Sequence, residues 1–382
     1  MVDQGALRLA QGGAVPALAE ALQRPVERIA TNASAALLGV ATVAPDLVAD
    51  AAGDALVAAL RRVNSPAANN AAAAFVIIAH SDPERLIATQ PDVLPALSSA
   101  LRSTAADTAA NAADALAACA YECDARGVAD APGALAGLAA VFAGGRDATA
   151  AKSALGALFA VADGGADLAA RVVGAPGVVP ALSRAVLSDD RGTAATASNL
   201  IAGAAGAGQE QAGAVATPAV VAALVAAVRL TDGRTVGCAG ALARIAMAGP
   251  QLALRVAAAR GAEAALLAAA TGDDVPAAGN ATKALLFIAQ ADVGRAARWI
   301  STTPALLPAL ARLMQSDDAI SVNASTRLLA VLAAHDTRLV EELPGLPGEP
   351  VLALLAIFGG GDPDAAVAAA LLLSSLMGHP AR

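Results

Sequence analysis

The sequence predicts an all-α chain, an α-solenoid of about nine three-helix repeats. Three observations predict it: a composition dominated by alanine, a leucine motif that returns about every 42 residues, and an asparagine landmark that keeps step with it. Hydrophobic residues make up 57% of the 382, yet aromatics are 2% and charged residues 15%. The apolar content is therefore mostly Ala, Leu and Val. Alanine is the best helix former, and its small side chain lets helices approach closely. Strand-favouring aromatics are scarce.

Taken in order, each repeat opens with a short first helix, as in PDLVADA, PERLIAT, GPQLALRVAAA, VGRAARWIS and TRLVEEL. A turn follows, carrying Gly13, Gly133, Gly177 or Gly261. Glycine suits it because a sharp helix-to-helix bend needs a positive φ and a close backbone approach. The middle helix carries the form Gly-x-x-Pro-x-Leu-x-x-x-Leu. It reads GAVPALAEAL from Gly13, PDVLPALSSAL from Pro91, PGVVPALSRAV from Pro176 and ALLPALARLM from Ala305, with degenerate copies such as GALAGLAAVF and PAVVAALVAAV. Pro16, Pro95, Pro180 and Pro308 sit at its opening, where a missing amide hydrogen costs least. Its first leucine recurs as Leu18, Leu56, Leu97, Leu138, Leu182, Leu224, Leu266, Leu310 and Leu354.

Polar loops come next: PVERIAT, NSPAAN, GGRDATA, SDDRG, TDG, GDDVP and SDDAI. Asp189-Asp190, Asp273-Asp274 and Asp317-Asp318 recur in equivalent loops, which marks solvated helix starts rather than an active site. The third helix then opens at Asn32, Asn70, Asn111, Asn280 or Asn323, in stretches such as NAAAAFVIIA and NATKALLFIA. The repeats so read span about 5–42, 43–80, 81–121, 122–162, 163–206, 207–248, 249–290, 291–334 and 335–378 of a single domain, 1–382.

Several function classes fall away. The net charge is -8, with 25 basic residues against 33 acidic, so clustered cations for phosphate are lacking and no nucleic acid is expected. A mean hydropathy of +0.59 raises the membrane question. The least charged window, Gln211 to Val228, holds Pro218 and falls in register with the repeats, so it reads as core and no membrane span is expected. Met1 to Arg24 shows no basic leader before a dense apolar run, so no secretory signal is expected. Cys119, Cys123 and Cys238 have no metal-ligand spacing, and their odd number points to a reducing compartment.

Catalytic look-alikes do not survive inspection. Gly144 to Ser153 imitates a phosphate loop, but Ala151 stands where glycine should precede Lys152, and no strand comes before it. Gly203 to Gln211 offers glycines without a strand-turn-helix setting. His80 and His335 lie at the ends of third helices and His379 near the terminus, while Trp299 reads as a packing residue on a first helix. No catalytic residue, cofactor or metal is expected, and the chain is read as not an enzyme.

The three-helix pattern, with glycine in the first turn and Asn-Ala opening the third helix, resembles the armadillo repeat family, as in catenins and importin adaptors, over roughly Gly5 to Gly378. The resemblance implies a right-handed superhelix whose third helices line a concave groove for a protein or peptide partner. In importin-type members a Trp, and an Asn four residues later, recur along that helix. Here the Trp place holds Ala35, Ala73, Asp114, Leu155, Asn199, Ala241, Lys283 and Thr326, and the Asn place holds Gly39, Ile77, Ala118, Phe159, Gly203, Ile245, Phe287 and Ala330.

The ladder is absent, so the groove is expected to be apolar or mixed, with Ile77, Asp114, Phe159, Asn199, Ile245, Lys283, Phe287 and Thr326 as candidate partner contacts. A shift of register by one residue would instead make these side chains core. The function expected is a non-enzymatic protein-interaction scaffold. The alternatives are an armadillo-type nucleotide exchange factor for a heat-shock chaperone, or a structural component of a large assembly such as a cilium, axoneme or organelle membrane. Neither end shows a polar cap, which suggests assembly through the end repeats. The expected location is intracellular, the cytoplasm first, with cilium and nucleus as alternatives.

Overall fold

Short polar side chains decide where the third helices begin. Ser65, Asp147, Asp190, Asp274 and Asp318 each accept a hydrogen bond from the backbone N–H three residues on, satisfying a donor that the first helical turn leaves unpaired. These caps come from the polar loops, and the recurrent acid pairs are helix starts as the sequence suggested. The third helices, however, open about one turn before the asparagines, which lie inside them. A computed structural model describes residues 4–378, apart from 63, 146, 231, 232 and 337. His379, and the loop positions Arg146, Thr231 and Asp232, lie outside the described residues.

No strand occurs among the described residues, and the chain parts into two compact units, Met1–Ala181 and Leu182–Arg382. The first unit runs α1 (Gln4–Gln11), α2 (Val15–Leu22), α3 (Glu27–Ala41), α4 (Pro45–Leu60), α5 (Pro66–Ser81), α6 (Pro83–Thr89), α7 (Val93–Ala100), α8 (Ala106–Cys119), α9 (Ala125–Asp130), α10 (Ala134–Gly144), α11 (Ala148–Asp163) and α12 (Ala166–Gly174), with α13 (Val178–Ala185) at the division. The second runs α14 (Arg191–Ala207), α15 (Gln209–Val215), α16 (Pro218–Val228), α17 (Arg234–Met247), α18 (Pro250–Ala258), α19 (Ala262–Ala270), α20 (Val275–Ala291), α21 (Val293–Thr302), α22 (Leu306–Leu313), α23 (Ala319–Ala333), α24 (Arg338–Glu342), α25 (Pro350–Phe358) and α26 (Pro363–Gly378).

The helix order repeats short, middle, long, in step with the leucine spacing. Leu56, Leu97, Leu138, Leu182, Leu224, Leu266, Leu310 and Leu354 are completely buried, whereas Leu18 is half-buried. Each buried leucine contributes on the order of 2 kcal/mol of transfer free energy. The four turn glycines Gly13, Gly133, Gly177 and Gly261 adopt φ of 69°, 79°, 84° and 74°, the left-handed conformation that any side chain would strain. Gly53 is different. The bend is missing there, and first and middle helix fuse into the single helix α4, within which Gly53 leaves room for the Gln90 side chain.

Consecutive third helices pack side by side, α3–α5–α8–α11 in the first unit and α14–α17–α20–α23–α26 in the second. Small residues set how closely they approach: a Cβ added at Gly279 would fall 2.1 Å from Ser321 Oγ. The landmark asparagines bridge these neighbours. Asn70 Nδ2 donates to Ser34 Oγ at 3.1 Å, Asn111 Nδ2 to Asn69 Oδ1 at 3.1 Å, and Asn280 Nδ2 to the Val236 carbonyl at 3.1 Å. Asn323 reaches the other way, donating to Asp362 Oδ2 at 2.6 Å. First helices are tied by arginines: Arg171 pairs with Asp130 and Arg126 with Asp167, both at 2.6 Å, and Arg85 with Asp50. These pairs are solvent-exposed and each is worth about 0–1 kcal/mol.

The apolar window at Gln211–Val228 is broken: α15 and α16 meet at 77°. No single helix among the described residues is long and apolar enough to cross a membrane, although two bent pairs, this one and Ala106–Asp130 with Ala134–Gly144, match the length and hydropathy of a span when taken together.

Candidate binding surface on the third helices

Where a third helix meets two neighbours, its buried residues follow the 3.6-residue period and the remaining stripe faces outward. In the first unit the stripes of α5, α8 and α11 enclose a cleft of about 380 Å³, lined by Val76, His80, Asp114, Tyr121, Glu122 and Phe159 among others. His80 is exposed, and its Nδ1 lies 2.8 Å from the Val76 carbonyl oxygen, one turn back on α5. Tyr121 and Glu122 enter the cleft because α8 ends in one π-helical turn, Ala120–Asp124, that passes into α9 after Asp124 caps it. Tyr121 is 70% exposed. Nothing in the apolar pattern marks a π turn, so sequence reasoning missed Tyr121.

The candidate contacts divide sharply. Ile77, Asp114 and Phe159 are half-buried on the outward stripes of the first unit, and Asp114 and Phe159 line the cleft. In the second unit Asn199 is exposed, and Lys283 and Phe287 are half-buried one turn apart on α20. Ile245 and Thr326 are fully buried, and the Thr326 hydroxyl donates to the Val322 carbonyl at 2.7 Å. These two positions are therefore core, and the expectation that they face a partner is corrected. Steps of three and four residues alternate along a helical face, so counting a fixed three or four from an assumed landmark strikes the core when the landmark shifts by one. On α17 the buried set Cys238, Leu242 and Ile245 leaves Gly240, Arg244 and Met247 outward, and on α23 Arg327 replaces Thr326. The spacing of the apolar residues themselves would have found Arg244 and Arg327.

Electrostatics distinguish the second surface. Burial lowers the Lys283 ammonium below the ordinary lysine pKa, and the neighbouring guanidinium groups of Arg244 and Arg327 lower it further. Arg327 is paired with Asp364 at 3.0 Å. Trp299 packs as expected: it is buried, with its indole N–H donating to Glu263 Oε2 at 3.1 Å. A second cleft, of about 450 Å³, lies between middle helices α16 and α19 beside Asp273 and Asp274. Those carboxylates are already engaged, Asp273 by Arg312 and Asp274 as the cap of α20. Among the described residues no three His, Cys, Asp or Glu side chains are grouped to hold a metal ion.

No protein-family model matches the chain, and no curated protein matches it in sequence. Solved structures do. An engineered protein aligns with 97% of this chain and 90% of its own, at 24% identity and a TM-score of 0.79. A designed armadillo repeat protein aligns with 63% of this chain and 99% of its own, at 19% identity and a TM-score of 0.54. The fold is an armadillo-type helical repeat solenoid. Computationally designed armadillo repeat proteins for modular peptide recognition are similar to the same extent, with 18% identity, 63% and 99% coverage and a TM-score of 0.53. Repeats of this kind are units that each pack against their neighbours.

Proposed function

We propose that this armadillo-repeat chain is a non-catalytic scaffold that holds a partner protein or peptide along its third-helix faces. One observation carries the reading. The packed third helices of each unit leave an outward stripe of large and charged side chains, Asp114, Tyr121 and Phe159 in one and Lys283 and Phe287 in the other, that the internal packing does not use up. Aromatic anchors at a surface are what binding interfaces concentrate. The designed neighbours, made for peptide recognition, add support from the fold. An intracellular setting, the cytoplasm first, goes with this reading, since Cys119 and Cys123 stand one turn apart as free thiols.

The test is affinity capture from native extract with the wild-type chain, repeated with Asp114→Lys, Phe159→Ser and, as a control on an exposed first-helix position, Glu210→Lys. The partner is expected to be lost with the first two and kept with the third. A partner whose capture ignores Asp114 and Phe159 but fails with Glu210→Lys would place binding elsewhere.

A second reading has its own observation. Helices α25 and α26 expose Leu352, Leu355, Phe358, Val367, Leu371 and Met377, each more than half accessible. So many exposed large apolar side chains on two packed helices favour assembly through this repeat.

A further inference from the structure

Three cations stand in a row on a chain whose net charge is -8: Arg244 on α17, Lys283 on α20 and Arg327 on α23, three third helices packed in succession. Internal chemistry does not account for the row. Arg327 has Asp364, but neither Arg244 nor Lys283 meets a carboxylate among the described residues. Arg244 extends toward the preceding third helix, where Gly206 presents no side chain; a Cβ there would lie 3.5 Å from its Nη1. Lys283 is half-buried beside these two guanidinium groups, and the Arg327–Asp364 pair offsets only part of the repulsion among the three cations. One turn further along the same helices lies an apolar row: Met247 follows Arg244 by three residues and Phe287 follows Lys283 by four, both partly exposed.

We infer that the third-helix face of α17, α20 and α23 binds an extended acidic segment of a partner protein, with carboxylates on Arg244 and Lys283 and apolar side chains on Met247 and Phe287. Charge complementarity supplies the partner's sign. Spacing supplies its pattern: packed helix axes lie about 8–10 Å apart, and an extended polyproline-type segment places every third residue on one side at about 9 Å intervals. Acidic residues three apart therefore meet successive helices, and an apolar residue between them faces the second row. The inference rests on the third-helix reading above and adds the chemistry of the ligand.

The experiment uses the full chain and a fluorescein-labelled peptide of repeated Glu-Pro-Leu triplets, with Gln-Pro-Leu and Lys-Pro-Leu versions as controls, read by anisotropy. The Glu peptide is expected to bind at least about tenfold tighter than the Gln peptide, to weaken as salt is raised, and to lose its advantage in the R244E/K283E double variant. Circular dichroism confirms that the variant, altered at two outward-facing positions, remains folded. Equal or tighter binding of the Gln or Lys peptide, or a Glu preference that survives R244E/K283E, would overturn the inference. So would a single-stranded oligonucleotide that binds tighter than the Glu peptide and is lost in the same variant. Panning a random peptide-display library on the full chain separates the two readings. Enriched sequences without acidic preference, lost with Asp114→Lys, remove this inference and leave the scaffold standing. A library that enriches nothing removes both.

Discussion

At the scale of the residue, two threonines at neighbouring positions of successive third helices make opposite use of a buried hydroxyl. Thr326 donates back to the Val322 carbonyl, whereas Thr282 Oγ1 is buried with no hydrogen-bond partner among the described residues. An unmatched buried hydroxyl costs about 1–3 kcal/mol of desolvation. Thr282→Val keeps the branched shape and removes the polar atom, so it is expected to stabilise the chain by about 1 kcal/mol, read as a higher urea midpoint. A lower midpoint would mean that the hydroxyl has a partner in solution. Cys119 shows the same desolvation acting on a thiol, whose pKa burial pushes up to about 12. It behaves as a small core residue, fully buried at the end of α8.

At the scale of the element, helix starts carry both geometry and charge. Asp362 accepts the backbone N–H of Ala365 and the side-chain amide of Asn323, so it caps α26 and ties it to α23. Both bonds favour the carboxylate and hold its pKa below the usual range, with the backbone bond the larger cause. A carboxyl with a depressed folded pKa contributes stability that is present above its unfolded value, about 3.9, and lost as pH falls through the folded one. Urea midpoints are therefore expected to drop as pH is lowered below about 4. Asp362→Asn retains a capping acceptor but flattens that part of the profile. An unchanged profile in the variant would assign the acid sensitivity to other groups.

The same element scale shows where the sequence was readable. The leucine spacing located the core because each repeat hides one apolar flank against the next, and that demand writes a period into the chain. The asparagines kept the same period for another reason. Those that bridge are not starts but cross-links between third helices, and a cross-link recurring at one position of several units is indistinguishable in sequence from a boundary. The absent bend at Gly53 was equally illegible, since a glycine inside a helix looks like one in a turn until Gln90 is seen to occupy the space beside it.

At the scale of the whole molecule, uniform acidity conceals local differences. A net charge of -8 fits the acid-capped loops, yet Arg244, Lys283 and Arg327 gather on one face. Composition could not reveal this, because the three residues belong to three repeats and lie about 40 positions apart in sequence. Two of the eight candidate contacts turned out to be core for a related reason: a helical face is set by its neighbours on both sides, not by a count along one strand of sequence. The apolar surface of α25 and α26 belongs to this scale as well. Leu355→Glu with Val367→Glu is expected to lower the sedimentation-average mass of the chain at high concentration; identical mass for variant and parent would discard assembly through this repeat.

The bridging amides also bear on how such an array can evolve. Asn70 reaches backward to a hydroxyl and a main-chain carbonyl, Asn111 to an amide oxygen and Asn280 to a main-chain carbonyl, while Asn323 reaches forward to a carboxylate. Each junction is keyed to its own pair, so the copies, although built on one plan, have ceased to be spare parts for one another. Duplicating or reshuffling them is expected to leave donors such as Asn323 opposite groups other than those they now meet.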